Sequence, residues 1–352
     1  MNYGPYSPFK AAHIRHSVRI GDLANNFLPD PAQVQLMITN RCNHNCAFCA
    51  YRSTRSDSSQ TFDHRDQIPT ERCMNLLQEL KDTGAEAIQF TGGGEPTVHP
   101  DFYLILNKAQ KLGLSTALVT NGSLLYDISM TDILNLSWLR VSIDAATPET
   151  YCKIRHVPID TFEKVIHNLK YIVDMKDRTG SGPRIGIGFV VNPDNWAETS
   201  LAINLAANIG VDNIRISAAF FKDSAEEHMI YMNKVNEMIE TTQVPIKVFN
   251  LFGHRLKDLI QKGPKYKKCQ YARLVPLIGA DQNVYTCCCL AYNNAGLIGS
   301  IKDTGFFEFW GTIAKKFYRN HTTKNCNICM FNNKNEFINY MINSDSEDVE
   351  WI

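Results

Sequence analysis

The sequence predicts an α/β chain in which the strands lie parallel in one sheet and the helices cover it from outside. Two observations predict this: strand-like and helix-like runs alternate six times between residues 34 and 242, and the helix between successive strands supplies the crossover that a parallel pair requires. A third marks the limit of the unit. After residue 242 the rhythm stops, and short runs, glycines and clustered cysteines take over.

Residues 1–33 combine Tyr-Gly-Pro-Tyr-Ser-Pro, a basic stretch (His13, Arg15, His16, Arg19) and two prolines, Pro29 and Pro31. They read as an irregular arm with one short helix, packed outside the main unit. Strands are predicted at Val34–Thr39, 87–91, 116–120, 139–143, 185–191 and 213–217, with helices at 70–83, 100–112, 130–136, 161–176, 196–209 and 226–242. Thr70 is suited to cap the first of these helices. The Ser-, Asp- and Arg-rich loop 52–65 either reaches over a site or forms a solvated surface. A boundary near Val244-Pro245 separates the main unit, 34–244, from a smaller module, 245–335. A tail, 336–352, ends in the acidic run Ser344 to Glu350, expected to be solvated and mobile.

Composition narrows the function. Hydrophobic residues make up 44% and charged residues 20% of the 352, which are globular values. Lysine plus arginine equals aspartate plus glutamate at 36 each, so no global field favours nucleic acid or an anionic membrane, and nucleic acid is not expected as a partner. No apolar run approaches the roughly 18 residues of a membrane span, and the first ten residues do not read as a secretory signal; a cytoplasmic protein is expected. Eleven cysteines, an odd number in clustered spacings, suit metal or iron-sulfur ligation better than a disulfide framework.

The densest cluster follows the first strand: Cys42-Asn43-His44-Asn45-Cys46-Ala47-Phe48-Cys49. Three thiolates in a short loop suffice for three irons of a four-iron cluster and leave the fourth iron open to a substrate or cofactor. The bland reading is structural zinc, with His44 or a distant cysteine as fourth ligand. The C-x3-C-x-aromatic-C pattern, with Phe48 as its aromatic, resembles the signature of the radical S-adenosylmethionine (SAM) superfamily. That resemblance implies a partial (β/α)6 barrel, a [4Fe-4S] cluster on Cys42, Cys46 and Cys49, and SAM chelated to the open iron. Reductive cleavage of SAM would yield a 5'-deoxyadenosyl radical, with flavodoxin or ferredoxin as the expected electron donor.

Other runs extend the resemblance. Thr91-Gly92-Gly93-Gly94-Glu95-Pro96, at the end of the second strand, is similar to the family's G-G-E-P motif, which implies that Gly93, Gly94 and Glu95 bind the methionyl amine. Ser142 and Asp144 alternate with apolar residues at the end of the fourth strand and can both face the barrel mouth, although Asp144 could instead cap the next helix. The resemblance implies that Ser142 contacts the ribose and that Arg155, of Lys153-Ile154-Arg155, contacts the SAM carboxylate. Asn121 and Asn192 follow the third and fifth strands, suited equally to ligand contact and to turning the chain.

In the last third, Cys269, the triplet Cys287-Cys288-Cys289 after Val284-Tyr285, and Cys326-Asn327-Ile328-Cys329 are similar to the SPASM/twitch auxiliary-cluster module. The full form carries seven cysteines. Here none follows Cys329, so the shortened twitch form is implied, with a second [4Fe-4S] cluster on Cys269, Cys287, Cys326 and Cys329. Spacing alone does not separate the members of the triplet, and a four-cysteine zinc site is the alternative. Cys288 or Cys289 is the candidate hydrogen-atom donor to a substrate radical. The run Lys262, Lys265, Lys267, Lys268 reads as a solvated surface or as an anion-binding stretch. The expected activity is hydrogen abstraction from a small-molecule or nucleotide-like substrate, ending in dehydrogenation or epimerisation. The alternative is maturation of a peptide or protein by thioether formation, carbon-carbon cross-linking or epimerisation.

Overall fold

The computed structural model describes residues 7–343. Expectations for Tyr3 to Tyr6 and for the acidic run 344–350 lie outside the described residues. Two short turns lead into α1 (Ser17–Ala24). The chain then alternates β1 (Gln33–Met37), α2 (Thr70–Asp82), β2 (Ala87–Thr91), α3 (Phe102–Lys111), β3 (Ser115–Thr120), α4 (Met130–Leu134) and β4 (Trp138–Ser142). It continues through α5 (Pro148–Arg155), α6 (Asp160–Thr179), β5 (Arg184–Val191), α7 (Thr199–Ile209), β6 (Asn213–Ala218) and α8 (Ala225–Thr241). Six parallel strands stand where the sequence put them, to within two residues at each end.

Burial explains why they were legible. In β5 every residue from Ile185 to Val191 except Val190 is buried, the near-continuous apolar run of a strand covered on both faces. Thr70 does not cap α2: it is the first helical residue, and its hydroxyl goes to Asp101 Oδ2 at 2.5 Å. Asp144 does not cap α5, because Thr147 Oγ1 accepts the Thr150 amide instead.

The α/β rhythm runs one unit past the boundary expected near residue 244. A seventh parallel strand, β7 (Lys247–Asn250), pairs with β6, and α9 (Phe252–Gln261) follows. β7 was hidden because it is a short edge strand whose only buried residue is Phe249. After α10 (Tyr271–Leu274), β8 (Leu277–Ile278) pairs parallel with β1, matching Gln35 with Leu277 and Leu36 with Ile278. Antiparallel β9 (Asn283–Tyr285) and β10 (Leu297–Ser300) extend the same edge. The described residues thus form one ten-stranded sheet, ordered β10-β9-β8-β1-β2-β3-β4-β5-β6-β7.

The chain closes with α11 (Phe306–Phe309), a π turn, α12 (Lys315–Asn320) and α13 (Asn332–Ile342). Helix α13 crosses the 335/336 limit given to the tail. Ile338 is buried with Leu23, Tyr271, Leu274 and Val275, so this stretch and the arm hold each other against the last third of the chain.

Candidate functional site: two cysteine sites

Between β1 and α2 the chain makes a long excursion whose base is pinned. Thr39 bridges to Gln67, and the Ile68 amide donates to Ile38 O at 2.9 Å. Cys42, Cys46 and Cys49 stand half-buried near its start, at the carboxyl end of the strands. The glycine run after β2 packs directly on this loop: the Gly94 amide donates to Thr39 O at 3.1 Å and the Glu95 amide to Arg41 O at 2.9 Å. A β-carbon on Gly94 would lie 2.0 Å from Arg41 O, and one on Gly93 would lie 2.2 Å from Asn40 Oδ1. Gly94 is therefore required for the close approach of two backbones, and Gly93 for the space that the Asn40 side chain takes.

Glu95 is buried, and its carboxylate accepts from Thr97 Oγ1 and Thr120 Oγ1, both at 2.7 Å, and from the Asn121 amide at 2.7 Å. Burial pushes its pKa up, against the pull of these donors. The Asn121 side chain is engaged between Asn43 and Ser123, which ties the loop after β3 to the cysteine loop. Asn192 turns the chain: its Oδ1 accepts the Asp194 amide at 2.9 Å.

Arg155 brings distant residues together. Its Nη1 donates to Cys46 Sγ at 3.2 Å, and its Nη2 to Ser142 O at 2.6 Å and to Asp144. Asp144, at a left-handed φ of 58°, also accepts the Val190 amide at 2.6 Å, which fixes its carboxylate toward Arg155. The guanidinium lies over the rings of Phe48 and Tyr151, each 5.6 Å from its centroid. Burial opposes the charge on Arg155, but Cys46 and Asp144 outweigh it and hold the pKa above its ordinary value. Nε remains buried and without a partner among the described residues. His44 packs edge-on to Tyr151, and burial followed by the Arg155 charge lowers its pKa to about 3, so its ring is neutral.

The second site is a cavity with some 400 Å³ of atom-free space, part of it open to solvent. Cys269, Cys287, Cys289, Cys326 and Cys329 line it, with Tyr266 and His321. Donors already face the sulfurs: Asn335 Nδ2 to Cys269 at 3.5 Å and the Phe331 amide to Cys329 at 3.4 Å, with Tyr266 Oη 3.1 Å from Cys329. Burial pushes Cys326 up to about 12 and Cys329 up to about 11. Hydrogen bonding with Cys289 lowers the Cys287 pKa, and hydrogen bonding with Cys287 and Cys288 raises that of Cys289. Cys288 is absent from the cavity wall and instead meets Met330 Sδ at 3.7 Å. Among the described residues no three His, Cys, Asp or Glu side chains are grouped so as to hold a single metal ion.

The loop 52–65 links the two sites. Ser58 is buried, and its hydroxyl reaches both Cys288 O and Cys289 O at 2.9 Å. Arg55 pairs with Asp223 and Glu227 beyond β6, and Asn293 Nδ2 donates to Asp57 O. Tyr51 lies within electrostatic reach of both Cys49 and Cys288. Ser58, Tyr51, Tyr266 and Asn335 carried no sequence signal as site residues. Their roles depend on contacts between segments more than 60 residues apart, except that Tyr51 also adjoins the first motif.

A family model described as the radical SAM superfamily matches residues 36–221, and the chain belongs to that superfamily. The family implies SAM and a [4Fe-4S] cluster. Among curated proteins, a probable GTP 3',8-cyclase of Saccharolobus islandicus (strain M.14.25 / Kamchatka #1) is 30% identical over 185 residues, covering 52% of this chain and 55% of that protein. A tungsten-containing aldehyde ferredoxin oxidoreductase cofactor-modifying protein of Pyrococcus furiosus is 29% identical over 187 residues, covering 52% and 50%. The chain spans about half the length of these curated relatives. Among solved structures, Streptococcus suis SuiB bound to precursor peptide SuiA superposes with a TM-score of 0.61 at 13% identity, over 88% of this chain and 71% of that one. At that identity the likeness is one of fold.

Proposed function

We propose that this radical SAM enzyme carries a second [4Fe-4S] cluster in the C-terminal cysteine cavity and acts on a small-molecule or nucleotide-like substrate. The observation that carries the second cluster is the convergence of five thiols from three separate segments on one cavity, with hydrogen-bond donors aimed at their sulfurs. The N-terminal cluster and SAM, when bound, would supply the radical chemistry needed to remove a hydrogen atom from an unactivated carbon.

The chain's own residues divide the remaining work. Cys42, Cys46 and Cys49 would hold the first cluster, and Arg155 Nη1, donating to Cys46 Sγ, orients that sulfur. Gly93, Gly94, Glu95 and Ser142 are the proposed SAM contacts, and the unpartnered Nε of Arg155 is suited to the SAM carboxylate. In the geometry described, Asn121, Asp144 and Asn192 act by positioning these loops. Cys269, Cys287, Cys326 and Cys329 hold the second cluster. Burial keeps the thiols of Cys269, Cys326 and Cys329 protonated until metal displaces the protons, so loading releases acid.

Of the two candidate hydrogen donors, Cys288 is the better placed, because its sulfur meets Met330 Sδ outside the cavity wall whereas Cys289 lines the cavity. If Cys288 returns a hydrogen atom, the product is an epimer and an external reductant must restore the thiol. Without that return the substrate radical loses one electron and one proton, and the product is dehydrogenated.

Anaerobic reconstitution tests the reading. The Cys42→Ala/Cys46→Ala/Cys49→Ala variant is expected to keep the second cluster's iron and release no 5'-deoxyadenosine with SAM and dithionite; loss of all its iron would count against two independent sites. Peptide maturation is the second reading, favoured by the extent of the likeness to peptide-bound SuiB, which covers most of the chain. Nucleotides and short peptides, compared as stimulants of 5'-deoxyadenosine release, separate the two.

A further inference from the structure

Charge is balanced over the whole chain and unbalanced around the second cysteine site. Residues 259–280 and 309–335 each carry five lysines or arginines and no aspartate or glutamate. The two segments meet in space: the Thr323 amide donates to Lys267 O at 3.0 Å, and a β-carbon on Gly263 would lie 2.6 Å from Cys326 O. Between them they supply Pro264, Tyr266, Cys269, His321, Thr323, Cys326 and Cys329 to the cavity wall. Lys262, Lys265, Lys267, Lys316, Arg319 and Lys324 are all exposed, and among the described residues none has an acidic partner. The cysteine triplet on the inner side leads by way of Cys288 and Tyr51 toward Cys49, where substrate would be worked on. The lysines hold the outer, solvent side.

We propose that this basic face docks a small acidic electron-transfer protein against the C-terminal cysteine cavity. The inference rests on the reading of that cavity as a cluster site. An electron carrier must approach its redox centre closely yet dissociate quickly, which calls for a small contact steered by opposite charge. In the dehydrogenation outcome the substrate radical gives up one electron and one proton. The electron leaves through the cavity to the oxidised carrier, which becomes one-electron reduced, and the proton passes to solvent.

The test uses reconstituted, full-length protein and an acidic flavodoxin as the probe. Lys265→Glu/Lys267→Glu/Lys316→Glu reverses the face; Lys111→Glu/Lys164→Glu/Lys170→Glu makes the same change in net charge on α3 and α6. Titration calorimetry is expected to show at least about tenfold weaker flavodoxin binding for the first variant and less than about twofold for the second, with parent affinity falling as ionic strength rises. Dithionite, which needs no docking, should drive 5'-deoxyadenosine release equally in both. Unchanged flavodoxin binding in the first variant overturns the proposal. So does face-dependent binding of a short RNA that exceeds flavodoxin binding. Face-dependent flavodoxin binding by protein whose iron content accounts for one cluster only would overturn the second-cluster reading and leave the docking face standing.

Discussion

Arg155 shows how one side chain makes a cysteine loop into a site. It bonds both to Cys46, 109 positions away in sequence, and to Asp144, and both it and Asp144 are almost wholly buried. Removing one member of a buried, hydrogen-bonded ion pair typically costs about 3–5 kcal/mol, because the other charge is stranded. Arg155→Ala is therefore expected to lower the unfolding free energy by about that amount in urea titrations, and Arg155→Ala/Asp144→Ala to recover part of the loss. A second residue sets a pH response away from both cysteine sites. His228 donates from Nε2 to Ala219 O at 2.7 Å, which leaves Nδ1 to accept from Tyr231 Oη at 2.6 Å. Burial lowers its pKa, and protonating Nδ1 would set two donors against each other. Because the folded pKa lies below the unfolded value of about 6.5, this contribution is complete above that pH and is lost as pH falls through it. Urea midpoints between about pH 7.5 and 5.5 should drop less steeply in His228→Gln than in the parent.

At the scale of elements, the loop 52–65 is tied at one end by an exposed ion pair and at the other by a buried hydroxyl. The Arg55 pairs are partly solvated, so Arg55→Ala is expected to cost less than about 1 kcal/mol. Ser58→Ala leaves two carbonyls short of a donor in a buried place, for about 1–3 kcal/mol. Thermal melts of the two variants check the ranking, and equal shifts would contradict it. The sequence made the cysteine and glycine motifs legible because their chemistry depends on local spacing, and the six strands because apolar residues recur along each, almost continuously in β5 and at alternate positions in β2 and β4. It left the destination of this loop open: nothing in Arg52 to Arg65 says that Ser58 faces the Cys287–Cys289 turn. Helix α13 was hidden for a different reason. Asn332, Asn335 and Asn339 are poor helix formers, and their value lies in tertiary bonds such as Asn335 Oδ1 to the Tyr271 amide at 2.8 Å.

Over the whole molecule, the division near residue 244 looks different once the sheet is known. The last third contributes β7 at one edge and β8 to β10 at the other, and Leu277 and Ile278 are fully buried. A protein ending at residue 244 would expose the β1 edge and the core beneath it. Such a truncation is expected to be insoluble or to unfold without a cooperative transition, as followed by circular dichroism; a sharp melt would show that the barrel stands alone.

The β1–β8 pairing also bears on how the chain comes off the ribosome. The first strand is made early, and its neighbour on one side emerges roughly 240 positions later. Until then a row of unpaired amides and carbonyls waits beside an apolar surface, open to the wrong strand from another nascent chain. Synthesis in the cell would thus call on a chaperone to shield that edge, and the second cysteine site would be completed only after the final segment has arrived.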